Sequence, residues 1–285
     1  MQPIKLRDLL KQPGIIRAPG AFDAWSARLV QMAGFPAVYM TGYGVSASIL
    51  GAPDIGLISM TEMATVAKNM ASAVQIPLIA DGDTGYGGVL NVIRTVKEYE
   101  RGGVAAIQIE DQVLPKRCGH MEGKELVSKK EMVSKVKAAV HARRSEDFII
   151  IARCDARAVN GFDDAMERSL AYRDAGADVI FFEAPQSEDE MKRIAESIKA
   201  PLLANMVEAG KTPFLTSAEL DNLGYKLVIY PASTLYAATK SMINVLQCLK
   251  DTDSTQEYRD KMVGFNDFFN LVGVEEMRSL EKSFR

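Results

Sequence analysis

A chain of 285 residues, 47% apolar and 25% charged, has globular composition and is long enough for one large core or two small ones. Its net charge of -3 gives no electrostatic reason to meet nucleic acid or a membrane surface, and no apolar run reaches the roughly 18–20 residues that span a bilayer. Three cysteines, Cys118, Cys154 and Cys248, at spacings that suit neither a disulfide framework nor a zinc site, point to a reduced, cytoplasmic setting.

In chain order, eight short apolar runs alternate with stretches of helical periodicity. The runs are Ile15–Ala18, Ala37–Met40, Pro77–Ala80, Ala105–Ile109, Phe148–Ala152, Val179–Phe182, Pro201–Ala204 and Leu227–Tyr230. Unbroken apolar runs of this length suit strands buried on both faces of a parallel sheet. Helices are predicted over Phe22–Met32, Met60–Ala73, Ile93–Tyr99, Lys129–Ala142, Asp163–Arg173 and Glu188–Ile198. Gly34, Gly103, Gly176 and Gly224 each stand just before a strand, where a left-handed glycine closes a helix. Ser59 with Glu62, and Ser128 with Glu131, have capping-box spacing.

Eight such alternations predict a (β/α)8 TIM-type barrel over residues 1–250. A doubly wound sheet is the rival, but no Gly-rich dinucleotide turn follows the first strand. Gly85-Tyr86-Gly87-Gly88 lacks the lysine of a phosphate loop. Residues 251–285 remain as a C-terminal helical extension, with helices around Gln256–Val263 and Gly273–Phe284. Phe265, Phe268, Phe269 and Leu271 make that extension too apolar for a barrel's outside, so it is expected to pack against another subunit.

In a barrel of this kind, chemistry belongs at the carboxyl ends of the strands. Polar residues stand there in sequence: Thr41-Gly42-Tyr43 and later Asp54 after the second run, Asp81-Gly82-Asp83 after the third, and Glu110-Asp111 after the fourth. Arg153-Cys154-Asp155, Glu183, and Asn205 with Glu208 follow the next three. Asp81, Asp83 and Glu110 are expected to converge as oxygen ligands without histidine or thiolate, which favours Mg2+, with Mn2+ as the alternative. Asp111 and Asp155 are read as supports of neighbouring loops. Arg153 suits a carboxylate, which a guanidinium binds bidentately, and is also placed to pair with Glu110 or Glu183.

The run Pro115-Lys116-Arg117-Cys118-Gly119-His120 sets a thiol among cations, which lower a cysteine's pKa from about 8.5. Gly119 allows a close backbone approach. The bland reading is a solvated basic loop. Lys116 either binds an anion or solvates that loop. His141 is expected on the surface, and Cys154 and Cys248 in or near the core.

Together, Asp81-Gly82-Asp83-Thr84-Gly85-Tyr86-Gly87, Glu110-Asp111-Gln112, the Pro115–His120 run and Asn205-Met206-Val207-Glu208 resemble the signatures of the isocitrate lyase / phosphoenolpyruvate mutase superfamily, from about Leu9 to beyond Tyr236. The Lys-Arg-Cys-Gly-His motif resembles the lyase-type branch. The resemblance implies a Mg2+-dependent barrel enzyme, a homotetramer with C-terminal helices exchanged between subunits. It implies Asp81 as direct metal ligand, with Asp54, Asp83 and Glu110 acting through waters. Tyr39, Thr41, Gly42, Tyr43, Gly119, Arg153, Glu183 and Asn205 would bind substrate. Cys118, Lys116, His120 and Arg153 are the catalytic candidates, with Cys118 as acid/base on a closing loop.

Two positions depart from the family pattern. Gly82 stands where alanine is usual, a change expected to be harmless, and Cys154 stands where threonine is usual, on an expected pocket wall. The His120–Lys124 stretch is unlike methylisocitrate lyases and more like dimethylmalate lyases and carboxyphosphonoenolpyruvate mutases.

The expected reaction is retro-Claisen cleavage of a 2-hydroxy di- or tricarboxylate to pyruvate and a carboxylic acid. Cys118 would protonate the carbanion, while Tyr43 and a metal-bound water are alternatives for removing the hydroxyl proton. The rival readings are a phosphonomutase and an oxaloacetate hydrolase or decarboxylase. A non-catalytic barrel would be expected to have lost the acidic cluster or the cysteine.

Overall fold

The apolar runs pair in sequence order because each is buried on both faces and must find a parallel neighbour. In the computed structural model, which describes residues 4–119 and 121–285, the strands are β1 (Ile16–Ala21), β2 (Val38–Met40), β3 (Leu78–Asp81), β4 (Ala106–Glu110), β5 (Ile149–Cys154), β6 (Val179–Phe182), β7 (Leu202–Asn205) and β8 (Leu227–Tyr230). They form a closed parallel barrel in that order, with β8 returning to β1 through Ile16↔Leu227. The expected (β/α)8 fold is present.

The helices are α1 (Leu6–Lys11), α2 (Ala24–Met32), α3 (Gly42–Leu50), α4 (Met60–Ala73), α5 (Val89–Arg101), α6 (Lys129–Ala142), α7 (Phe162–Asp174), α8 (Glu188–Ser197), α9 (Ser217–Leu223), α10 (Ser233–Thr252), α11 (Phe265–Val272) and α12 (Val274–Ser283). Gly34, Gly103, Gly176 and Gly224 all have φ between 82° and 103°, as their closing role requires. Ser59 and Glu62 make both arms of a capping box, whereas at Ser128 only the hydroxyl arm to Glu131 N forms. Three helices were not anticipated. Helix α1 precedes the first apolar run, where no helix was predicted. In α3, Thr41 caps a segment read as loop. In α11, the aromatic residues lie behind an N-cap glycine that carries no side-chain signal.

Strand periodicity sorts the core into two layers. Tyr39, Ile79, Ala106, Ile149, Ile151, Val179, Phe181 and Leu203 fill the barrel's interior, with Leu6 of α1 in the same cluster. Met40, Ala80, Ile107, Ile109, Ile150, Ala152, Ile180 and Phe182 join the helices in the outer layer. The direction of each strand-end polar side chain follows from which layer its position faces.

The chain divides into two compact units, Met1–Leu235 and Tyr236–Arg285. The division falls in the first turn of α10, which continues unbroken to Thr252. In the second unit, the Phe265 and Phe269 rings meet at 4.4 Å between centroids, tilted by 53°, and Ile243, Leu246, Met277, Leu280 and Phe284 are exposed. Among the described residues, no helix is long and apolar enough to cross a membrane.

Candidate active site

Counting in twos from the interior core residues leads to the mouth of the barrel. Tyr39 gives Thr41, Ile79 gives Asp81, Ala106 gives Gln108 and Glu110, Ile151 gives Arg153, Phe181 gives Glu183, and Leu203 gives Asn205. The parallel register sets Asp81 beside Gln108 and Glu110 beside Arg153. Elements far apart in sequence thus present their polar groups together.

Asp54, Asp81, Asp83 and Glu110 are all buried there. Asp81 Oδ1 accepts from Asp83 N at 3.0 Å and lies 3.5 Å from Gln108 Nε2, and Tyr39 Oη donates to Gln108 Oε1 at 3.1 Å. Tyr99 of α5 donates to the Asp81 carbonyl at 2.9 Å. A Cβ on Gly42 would lie 2.6 Å from Asp81 Oδ2, so only glycine leaves that oxygen clear. Lys116 is an ion-pair partner of Asp54 and lies 3.0 Å from Asp83 Oδ1, with its side chain 3% exposed. The solvated-loop reading of Lys116 is therefore corrected: its ammonium is drawn inward by two buried carboxylates.

Burial raises the Asp81 carboxyl, with Asp54 adding to it, and pushes Asp83 up to about 6, with Asp81 and Asp54 adding, while Lys116 opposes both shifts. Burial likewise holds Glu110 well above the usual range against the opposing pull of Arg153. For Lys116 burial works downward, but Asp83, Glu110, Asp54 and Asp81 outweigh it and raise the ammonium. The cluster is electrostatically hungry for cations.

Arg153 lies 2.9 Å from Asp155 Oδ1, 3.3 Å from Glu110 Oε2 and 3.9 Å from Glu183 Oε2, with its guanidinium 5.2 Å from the Phe181 ring centre. Asn205 Nδ2 reaches Glu183 at 3.3 Å. The expected carboxylate pairing of Arg153 is present, and Asp155 is its nearest partner. Asp111 points outward to Tyr172 at 2.7 Å and to Arg168 at 3.4 Å, and accepts from Asp155 N at 2.8 Å. Both acids serve the supporting roles expected of them.

Cys118 is half-buried on the loop after β4. Gly119 beside it is buried, and a Cβ there would meet Arg153 Nη2 at 2.3 Å and Glu183 Oε1 at 2.9 Å. The close approach expected of Gly119 is thus made toward two side chains of the mouth. Thr41 uses its hydroxyl to cap α3, accepting from Gly44 N at 3.4 Å, and Tyr43 is half-buried in the first turn. Glu208 is exposed and accepts from Ser233. His120 lies outside the described residues, and His141 is exposed.

Two expectations are corrected. Cys154 does not line the pocket: one residue past Arg153, it faces the outer layer, with Sγ donating to Ala165 O of α7 at 3.6 Å. Cys248 is half-buried on α10, with Sγ toward Ser254 O, rather than in a core. At Gly82 the surroundings have closed onto the glycine, since a Cβ there would meet Ile107 Cγ1 at 2.7 Å and Gln108 O at 2.8 Å. Gln108 and Tyr99 were missed. Strand alternation pointed to Gln108, two residues before Glu110, but no local signal marks a helical tyrosine that reaches back to a strand carbonyl.

The residues suit a hard divalent ion. Its donors would all be oxygen, Glu110 Oε1 is buried without a hydrogen-bond partner, and burial leaves the carboxylates short of positive charge. Among the described residues, no three of the His, Cys, Asp and Glu side chains form a group able to hold an ion by themselves. Asp54 and Asp83 are turned to Lys116 instead, so the expected three-carboxylate convergence is not a ready-made cage. A Mg2+ site with few direct ligands and several waters fits this arrangement.

A family model described as phosphoenolpyruvate phosphomutase matches residues 6–250. A crystal structure of 2,3-dimethylmalate lyase, described as a PEP mutase/isocitrate lyase superfamily member, superposes with a TM-score of 0.92 at 38% identity, covering 97% of this chain and 93% of the other. The chain belongs to the PEP mutase/isocitrate lyase superfamily. Within that superfamily it is 54% identical to 2,3-dimethylmalate lyase of Eubacterium barkeri, covering 98% of this chain and 97% of the relative. It is 45% identical to 2-methylisocitrate lyase of Aeropyrum pernix, covering 95% and 87%. Phosphonopyruvate hydrolase in complex with oxalate and Mg2+ matches with a TM-score of 0.88 at 33% identity, covering 97% and 96%. With lyases of this superfamily so similar over their whole lengths, the protein is a carbon–carbon lyase.

Proposed function

We propose that this lyase cleaves a 2-hydroxy dicarboxylate of the 2,3-dimethylmalate type, with 2-methylisocitrate as the nearest alternative, using Mg2+. The observation that carries the proposal is the Cys118–Gly119 loop, with Gly119 against Arg153 and Glu183 at an acidic mouth. The 54% identity to 2,3-dimethylmalate lyase supports it.

A divalent ion bound among Asp81, Asp83, Glu110 and Asp54 would supply Lewis-acid polarisation of the 2-hydroxyl and its carboxylate. Arg153 would hold a substrate carboxylate while its own carboxylate partners fix the guanidinium. Thr41, Gly42 and Tyr43 would seat the 2-oxo-acid end where α3 starts, at the positive end of the helix. Tyr39, through Gln108, steadies Asp81, and Glu183 with Asn205 lines the opposite side.

The hydroxyl proton leaves and the oxygen lone pair becomes the carbonyl of pyruvate as the C2–C3 bond breaks. Its electron pair passes to C3 and delocalises into the adjoining carboxylate. The Cys118 thiol gives its proton to C3, yielding propionate from dimethylmalate or succinate from methylisocitrate. The thiolate regains a proton as the products leave, so protons balance over the cycle. Lys116 and His120 would tune the loop that carries this thiol.

The phosphomutase description of the matching family model favours a second reading, phosphonomutase chemistry at the same mouth, which would release no pyruvate from either hydroxy acid. The test is pyruvate release from dimethylmalate, methylisocitrate and oxaloacetate. Release from one of the two hydroxy acids, lost after EDTA treatment and regained with Mg2+, is the expected result. Undiminished turnover after exhaustive EDTA treatment, or in Asp81→Ala, would remove the metal from the proposal. The proposed setting is cytoplasmic and the proposed assembly a homotetramer.

A further inference from the structure

We propose that Gln112 and Lys124 are positioning residues that hold Cys118 for its reaction by gripping the main chain on either side of it. This rests on the proton-donor role proposed for Cys118. Neither residue has to touch substrate to act in this way.

Gln112 is 1% exposed and stands two residues after the end of β4. Its carboxamide makes two hydrogen bonds to a single residue, the one before the thiol. Nε2 donates to Arg117 O at 2.9 Å, and Oε1 accepts from Arg117 N at 2.9 Å. A side chain that reads both backbone groups of one loop residue does what a neighbouring strand does in a sheet, and both contacts are at ideal length. On the other side, Lys124 is buried and donates to the Gly119 carbonyl. Its Nζ also lies 3.9 Å from Asp155 Oδ1, the oxygen that pairs with Arg153. A buried ammonium is costly unless partnered, so Lys124 is constrained to that spot and ties the loop to the arginine's own support.

The base of the loop is closed as well. Gln112 and Leu126 form an antiparallel bridge, Val113 N donates to Glu125 O at 2.8 Å, and Cys118 O accepts from Met121 N at 2.9 Å. Cys118 is thus the residue between two gripped neighbours. Ordering a loop costs conformational entropy. Contacts made within the loop meet that cost before substrate arrives, and reacting groups misplaced by about 1 Å can lose about 10²-fold in rate.

The test compares Gln112→Glu and Lys124→Met with wild type in the full-length ligand-free protein. Gln112→Glu keeps volume and the acceptor for Arg117 N, but sets an oxygen against the Arg117 carbonyl. Lys124→Met keeps much of the stem and removes the donor. The readouts are the rate of iodoacetamide modification of Cys118, resolved by peptide mass spectrometry with Cys248 as internal reference, and the steady-state constants for pyruvate release. The expected result is a Cys118 rate raised about tenfold, an unchanged Cys248 rate, and kcat lowered about 10- to 100-fold with KM within about threefold.

Cys118 modification at the wild-type rate in both variants overturns the proposal, whatever happens to kcat. So does a parallel rise at Cys118 and Cys248, which marks general loosening, and so does unchanged kcat in both. Cys118→Ser, measured alongside, separates the two layers. Wild-type activity in that variant removes the proton-donor role, while the modification rates still report whether Gln112 and Lys124 hold the loop.

Discussion

At the scale of single residues, the site is a problem in neutralising buried charge. Asp54, Asp81, Asp83 and Glu110 share a small volume with Lys116 and Arg153, and burial raises the three acids on and beyond β3 and β4. Lys116 takes up two of the carboxylates, so a thiol two residues away does not have that ammonium to itself. For Cys118 the decisive substitution is serine, which keeps shape but replaces an acid of pKa about 8.5 by a far weaker one. If the thiol protonates a carbanion, Cys118→Ser should lower kcat by about 10²–10⁴ with little change in KM. A serine enzyme within about threefold of wild type in pyruvate release would refute the role.

At the scale of elements, the same strand places its chemistry and its support on opposite faces. Arg153 turns to the mouth and Cys154 to α7, while Glu110 turns to the mouth and Asp111 to Tyr172 and Arg168. The departures from the family pattern take their meaning from this alternation. Cys154 can replace a threonine there without touching the site. Gly82 cannot be treated so lightly, since it continues the β3–β4 pairing by donating to Gln108 O at 2.9 Å, with Ile107 filling the space where a Cβ would go. Gly82→Ala is expected to cost about 1–3 kcal/mol through overpacking. Urea unfolding of the variant tests this, and a midpoint equal to wild type would show that Ile107 yields without cost.

At the scale of the whole molecule, the barrel's ordering was legible early. Eight apolar runs, and glycines that do close helices with positive φ, were enough for the fold. In the C-terminal unit the last helix, α12, was legible from its periodicity, whereas α11 showed only as a surplus of apolar residues. Phe265, Phe284, Leu246 and Met277 are exposed in the single chain, a pattern that calls for a covering surface. An oligomer is therefore expected in solution, a tetramer in the proposal made above. Light scattering at micromolar concentration tests it, and a stable particle of one chain mass, 31.2 kDa, would contradict it.

By itself the sequence determined the succession of strands and helices, because burial on two faces and helix closure are written in local pattern. It also determined which polar residues stand at strand ends, and so most of the mouth. Only the tertiary structure decided how those groups are partnered. That Lys116 turns inward to Asp54, that Gln112 grips Arg117, that Tyr99 holds the Asp81 carbonyl and that Cys154 faces away are matters of distance between segments remote in sequence or folded back in a loop. Local pattern carries the period of a strand, but the partner of a buried charge is set by whichever groups the closed barrel brings within a few ångströms.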